Sequence, residues 1–160
     1  MKKVRPLSVA GPLSSWDIFL NSYQQLMQKG DDLQAIKKIS AKAKWKVQWD
    51  LQQELLGNDQ VIVVTDIARM IVYATANVTE MNGYKPEELL GKSPKILQGK
   101  ATDKKALKYI SSRIAARQPF EAIIVNYRKN GQPYDCSIRA FPVFNQENEL
   151  VNFIAFEKAA

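Results

Sequence analysis

Cys136 is the only thiol in the chain, and no histidine is present to activate it. A Ser-His-Asp or Cys-His nucleophile therefore cannot be assembled. Histidine-based acid–base chemistry, a His-ligated haem and a His-containing zinc site fall for the same reason. One cysteine closes no intramolecular disulfide and builds no thiolate cage, which suits a reducing, cytosolic compartment. Catalysis by Lys, Asp or Glu stays open in principle, but no pair of such groups stands in an evident catalytic arrangement, so a non-enzyme is expected. The residues able to hold a small molecule are Thr65, Lys95, Gln98, Asn126, Cys136 and Glu157. Each has a plainer reading. Asn126 can stabilise a strand or turn, and Gln98, between Leu97 and Gly99, can cap a helix end. Cys136 can be a small buried apolar residue. Glu157 follows Phe156, and an alternating strand would turn one of the two to solvent.

The elements that must position these groups are legible from periodicity. In 160 residues, 46% hydrophobic and 24% charged, one domain with a real core is expected. Residues 1–13 read as a flexible lead. Ser14-Ser15 caps a helix from Trp16 to Gln28, with Gly30 as its stop. Asp31 or Asp32 starts a longer helix ended by Gly57-Asn58. Along it Leu33, Ile36, Ile39, Ala43, Val47, Leu51 and Leu55 recur at helical steps. Trp45 and Trp49 would share one face of that helix. The division expected is a lead over 1–13, a helical extension over 14–58 and a domain over 59–160. In the domain, Val61–Thr65 and Met70–Tyr73 are strands, and 102–116 is a helix capped by Thr102 or Asp103, with Ala106, Leu107, Ile110 and Ile114 inward. Strands over 120–128, 132–144 and 150–157 follow, the first two joined at Asn130-Gly131. This is an α+β domain with a five-stranded antiparallel sheet and an N-terminal helical extension.

Charge adds little. The formal net charge of +7 is spread out, with nine basic and five acidic groups in residues 1–58 and fourteen and eleven in residues 59–160. The densest run, Lys37-Lys38 through Lys42, Lys44 and Lys46, reads as a solvated helix face rather than a nucleic-acid contact. No stretch approaches the ~20 apolar residues of a membrane helix. The apolar segment after the basic N-terminus is too short and broken for a signal sequence, so a soluble cytoplasmic protein is expected.

Residues 60–158 resemble the PAS family of sensory domains. The resemblance is carried by Asn82-Gly83-Tyr84, by Glu87-Glu88-Leu89-Leu90-Gly91-Lys92 and by the closing run Phe153-Ile154-Ala155-Phe156-Glu157. Leu97-Gln98-Gly99 with Thr102-Asp103, Asn126-Tyr127-Arg128-Lys129-Asn130-Gly131, Pro133-Tyr134 and Phe141-Pro142-Val143 are similar to the light-oxygen-voltage (LOV) subtype. The resemblance implies short helices packed over one sheet face and a space between them that holds a flavin, a haem, a metabolite or nothing. It also implies that signals leave through flanking helices.

The photochemistry of that subtype does not carry over. Its light-sensing members place a cysteine in a pattern like Gly-Arg-Asn-Cys-Arg-Phe-Leu-Gln. Here the stretch is Gly91-Lys92-Ser93-Pro94-Lys95-Ile96-Leu97-Gln98, and Pro94 stands at the cysteine position. Among implied flavin contacts, Asn126 and Gln98 match. Lys95 replaces an arginine at the phosphate, and Ser111 takes the place of a second one. Cys136 replaces a ring-binding asparagine, and Glu157 replaces the final glutamine, where a carboxylate would repel the ring's carbonyl edge unless protonated. Thr65 completes the candidate pocket. The expectation is a pocket without a cofactor, with FMN or another small ligand as the alternative.

The function expected is a non-catalytic sensory and signal-transduction module. It would work through its flanking helices as a homodimer, by docking to a signalling protein, or within a longer sensor whose output lies beyond Ala160. The alternatives are a ligand-free structural interaction domain, or a DNA-associated regulator using the basic helix.

Overall fold

The computed structural model describes residues 10–160, with side chains from residue 15 onward. Its first strand is Val61–Thr65 (β1), a β-branched run whose five side chains are all buried. Successive side chains of a strand point to opposite faces, so both faces of this sheet must be covered. Ile71–Ala74 (β2), Phe120–Tyr127 (β3), Pro133–Phe144 (β4) and Leu150–Ala159 (β5) complete a five-stranded sheet in the order β2-β1-β5-β4-β3. Every neighbouring pair is antiparallel, as the sequence implies. At the β3–β4 turn Gly131 takes φ 87°, a left-handed conformation that glycine adopts without strain. The Asn130 side chain accepts from the Gln132 amide at 3.0 Å, closing the turn.

The inner face carries Val78–Asn82 (α2), Pro86–Leu89 (α3), a 3-10 turn at Pro94–Leu97 and Lys104–Ala115 (α4). Asp103 caps α4 by accepting from the Lys105 amide at 3.0 Å. Thr102 does a different job: its hydroxyl donates to the Val125 carbonyl (2.6 Å) and accepts from the Gly99 amide (3.0 Å), tying this connection to β3. Ala106, Ile110 and Ile114 pack toward the core, as expected of an amphipathic helix.

The outer face is covered by Ala10–Ala43 (α1), a single helix of 34 residues. The expected break at Gly30 is absent. A mid-helix glycine costs about 1 kcal/mol relative to alanine, too little to stop a helix whose next turns dock through Asp32, Leu33 and Ile36. The lead expected over 1–13 is replaced by helix from Ala10, and residues 1–9 lie outside the described residues.

The far end of α1 also differs from the expectation. The helix stops at Ala43 rather than continuing to Gly57-Asn58. Lys44 adopts φ 54°, its amide donates to Ala41 O at 3.3 Å, and the Trp45 amide donates to Ser40 O at 3.0 Å. This is a Schellman stop with lysine in the place usually held by glycine. The apolar stripe is therefore divided: Ile36 docks from α1, Val47 is exposed, and Leu51 and Leu55 are buried around a short π-helical turn at Gln53–Gly57. Trp45 and Trp49 meet edge-on beyond the helix with ring centroids 5.8 Å apart, and Trp45 Nε1 donates to Asn152 Oδ1 at 2.9 Å. Among the described residues no helix is long and apolar enough to cross a membrane.

Candidate functional site

Between the inner sheet face and α4 lies a cavity of about 550 Å³, a volume typical of small-molecule sites. Its walls are mainly apolar, from Val63 and Phe153 on the sheet to Leu97, Ile110 and Ile114 on the helical side. Five of the candidate residues line it: Thr65, Lys95, Gln98, Asn126 and Glu157. Strand alternation explains the convergence. Thr65, Asn126 and Glu157 all fall on inward positions of β1, β3 and β5, while the 3-10 turn and its exit supply Lys95 and Gln98. Cys136 departs from the expectation, since it is fully buried in the core behind the wall instead of lining the space. Pro94 lies on the wall, and Ser111 lines it from α4.

The buried end is polar. Glu157 is not turned to solvent; it is 8% exposed. Phe156 and Glu157 point to opposite faces, but α1 and its following turn cover one face and the cavity layer covers the other. Among the described residues the one side-chain bond to the Glu157 carboxylate comes from Cys136 Sγ, 3.9 Å from Oε2, and a thiol is a weak donor. Burial pushes the Glu157 carboxyl up to about 7, with the thiol opposing only slightly. Burial first, and then the neighbouring Glu157 charge, drives the Cys136 thiol well above its ordinary range, so it is held as a thiol.

The Tyr134 hydroxyl, also raised mainly by burial, lies beside the amides of Asn82 and Asn126. The contact falls short of well-formed hydrogen bonding: Asn82 Nδ2, Asn126 Oδ1 and Tyr134 Oη are all buried without a partner among the described residues. Three cationic side chains, Arg69, Lys95 and Lys108, line the opposite, exposed part of the cavity. Sequence reasoning passed over Arg69, Lys108, Asn82 and Tyr134 as site residues. Tyr134 precedes Cys136 by two positions, so strand period alone places it on the same face.

A second buried carboxylate fixes α1 to the sheet. Asp32 is 2% exposed. It accepts from Tyr73 Oη at 2.5 Å and from the Ala76 amide at 3.0 Å. Burial raises its proton affinity, and these two bonds oppose the rise. On the same outer face Arg139 pairs with Glu54 at 2.8 Å and lies over the Phe156 ring, its guanidinium carbon 5.3 Å from the centroid. Phe156 thus touches the outer layer while its neighbour Glu157 lines the cavity.

Residues 58–158 match the model of a PAS domain. The chain belongs to the PAS-domain family. A blue-light-activated histidine kinase of Brucella anthropi is 34% identical over 85 residues, covering 53% of this chain and 17% of the kinase. The chain thus spans under a fifth of the length of that relative. Among solved structures, one from work on a flavin analogue and light-oxygen-voltage domain mechanism has a TM-score of 0.65 at 25% identity, covering 71% of this chain and 86% of that one. The light-state LOV domain of the blue-light photoreceptor Aureochrome1 follows at 0.61 and 25%, covering 63% and 81%. The subtype is LOV-like.

The residues of this PAS domain do not fit the flavin that the LOV likeness implies. A flavin's polar edge carries two carbonyls flanking one N–H. It would meet the buried Glu157 carboxylate, an acceptor where a ring carbonyl needs a donor. Ser111 brings no charge to the exposed end, and Pro94 brings no thiol to the wall.

Proposed function

We infer that this PAS domain is a cytoplasmic, non-catalytic sensory module that responds to a small molecule in its inner cavity and transmits the response through α1. It does not run the cysteine-adduct photocycle. The observation that carries this reading is the 550 Å³ cavity that ends on Glu157 and Asn126 and has Pro94 in its wall. Transmission follows from the Glu157–Phe156 pair. A change in how Glu157 is held shifts β5, and Phe156 and Arg139 on the other face bear on the layer around Glu54 and α1. The output goes to a second copy of the chain or to a signalling partner docked on the free half of α1. The domain division follows the same logic: residues 59–160 sense and the helical part before them transmits.

The test is a visible spectrum and a native mass of the purified protein, in the dark and under blue light with added FMN. No bleaching that recovers in the dark is expected. A dark-reverting loss of flavin absorbance would overturn the reading.

A further inference from the structure

We propose that the cavity takes a ligand with an apolar aromatic body and a hydrogen-bond-donating head, an amidine or amine, seated against Glu157. The inference rests on the ligand-sensing reading above and goes further, assigning the polarity of the occupant. It begins from a buried acceptor in the cavity wall. Glu157 is 8% exposed, and among the described residues its carboxylate receives only the weak Cys136 S–H. The neighbouring Asn126 amide is turned inward, beside Cys136 and the Tyr134 hydroxyl, and is left out of the contact. A buried acceptor left without a good donor is costly, more so when charged. A ligand bringing N–H donors removes that cost; one bringing a carbonyl adds a second acceptor. The remaining walls, Val63, Leu97, Ile110, Ile114 and Phe153 among them, accept an apolar body.

The titratable and charged groups around Glu157 do not neutralise it. Cys136 and Tyr134 face it from β4, both held in their neutral forms. β1 contributes the uncharged Val61, the register partner of Glu157. Lys95 from the 3-10 turn, Lys108 from α4 and Arg69 after β1 line the cavity but exert no resolved pull on the carboxyl. A donor head therefore supplies the positive partner that the protein does not. It also favours the ionised carboxyl, so binding strengthens as pH rises through about 7.

The experiment is a chemical-shift titration of the full chain with two probes of similar size. Benzamidine is a permanent cation with donors only; acetophenone has an acceptor only. Benzamidine is expected to bind saturably and about tenfold more tightly at pH 8 than at pH 6. Glu157→Gln, which keeps the shape and removes the charge, is expected to lose most of that affinity and all of its pH dependence. The pH dependence of the unmutated chain decides the matter even if the variant does not fold. Acetophenone or FMN binding at pH 8 as tightly as benzamidine overturns the assignment and leaves the ligand-sensing reading standing. No saturable binding by any of the three overturns both.

Discussion

Glu157 is the residue where burial and charge conflict most openly, and the conflict has a measurable sign. Unfolded, its carboxyl releases its proton near 4.5; folded, near 7. Between those values the folded chain keeps a proton that the unfolded chain has lost, so raising the pH favours unfolding. The cost is absent below the lower value, grows between the two, and is fully present just above 7. A difference of that size corresponds to about 3 kcal/mol. Glu157→Gln has no such cost. Urea unfolding should therefore show its advantage over the unmutated chain growing from pH 5 to pH 8; a constant difference would mean that the carboxyl is solvated. The sequence indicated which residues converge, because strand period and motif order identify inward positions. It left open whether Glu157 turned to solvent, since that depends on whether both faces of β5 are covered. Cys136 kept two readings, a cavity contact or a small buried residue, for a related reason. Period 2 names its face of the sheet but not whether the space in front of it is cavity or packed core.

At the scale of elements, the sheet and α4 were readable because their signals are local: β-branched runs, Asn130-Gly131, and the Asp103 cap. The course of α1 was not. Its stop is made by Lys44 in a left-handed conformation that sequence statistics assign to glycine, whereas Gly30, which looks like a stop, lies within the helix. Tertiary docking decides both cases, through Ile36 packing and through the Asp32 carboxylate buried against β2. The Asp32 bond makes a prediction for this element. Tyr73→Phe removes the hydroxyl that donates at 2.5 Å and leaves the buried carboxylate with the Ala76 amide alone. The expected cost is about 1–3 kcal/mol, concentrated at the α1 contact. Amide hydrogen exchange should accelerate across residues 32–43 while β4 keeps its protection. Equal acceleration in both would show that α1 and the sheet open together, and no acceleration would show that the latch is energetically idle.

For the whole molecule, the question is what covers the first half of α1. Residues 15–28 are exposed throughout, and they include Trp16 at 63%, Phe19 at 59%, Tyr23 at 53% and Leu26 at 56%. Steps of three and four residues place these side chains on one stripe, the spacing of a two-helix seam. Trp16 meets Phe19 edge-on at 6.0 Å, and Phe19 stacks on Tyr23 at 6.5 Å, so the stripe is partly organised within one helix. The second half of α1 behaves differently, because Ile36 is wholly buried on the outer sheet face with Ile62, Val64 and Phe156. Two truncations separate the roles. Removing residues 1–28 takes away the exposed stripe and none of the buried core found among the described residues, so a folded monomer is expected in native mass and light scattering. Removing residues 1–56 also takes Ile36, Leu51 and Leu55 and uncovers the outer sheet face, so loss of solubility is expected. A dimer that survives the shorter truncation would move association to the sheet, where Ile123 is 64% exposed on β3. It would also leave α1 without the partner contact that the transmission route requires.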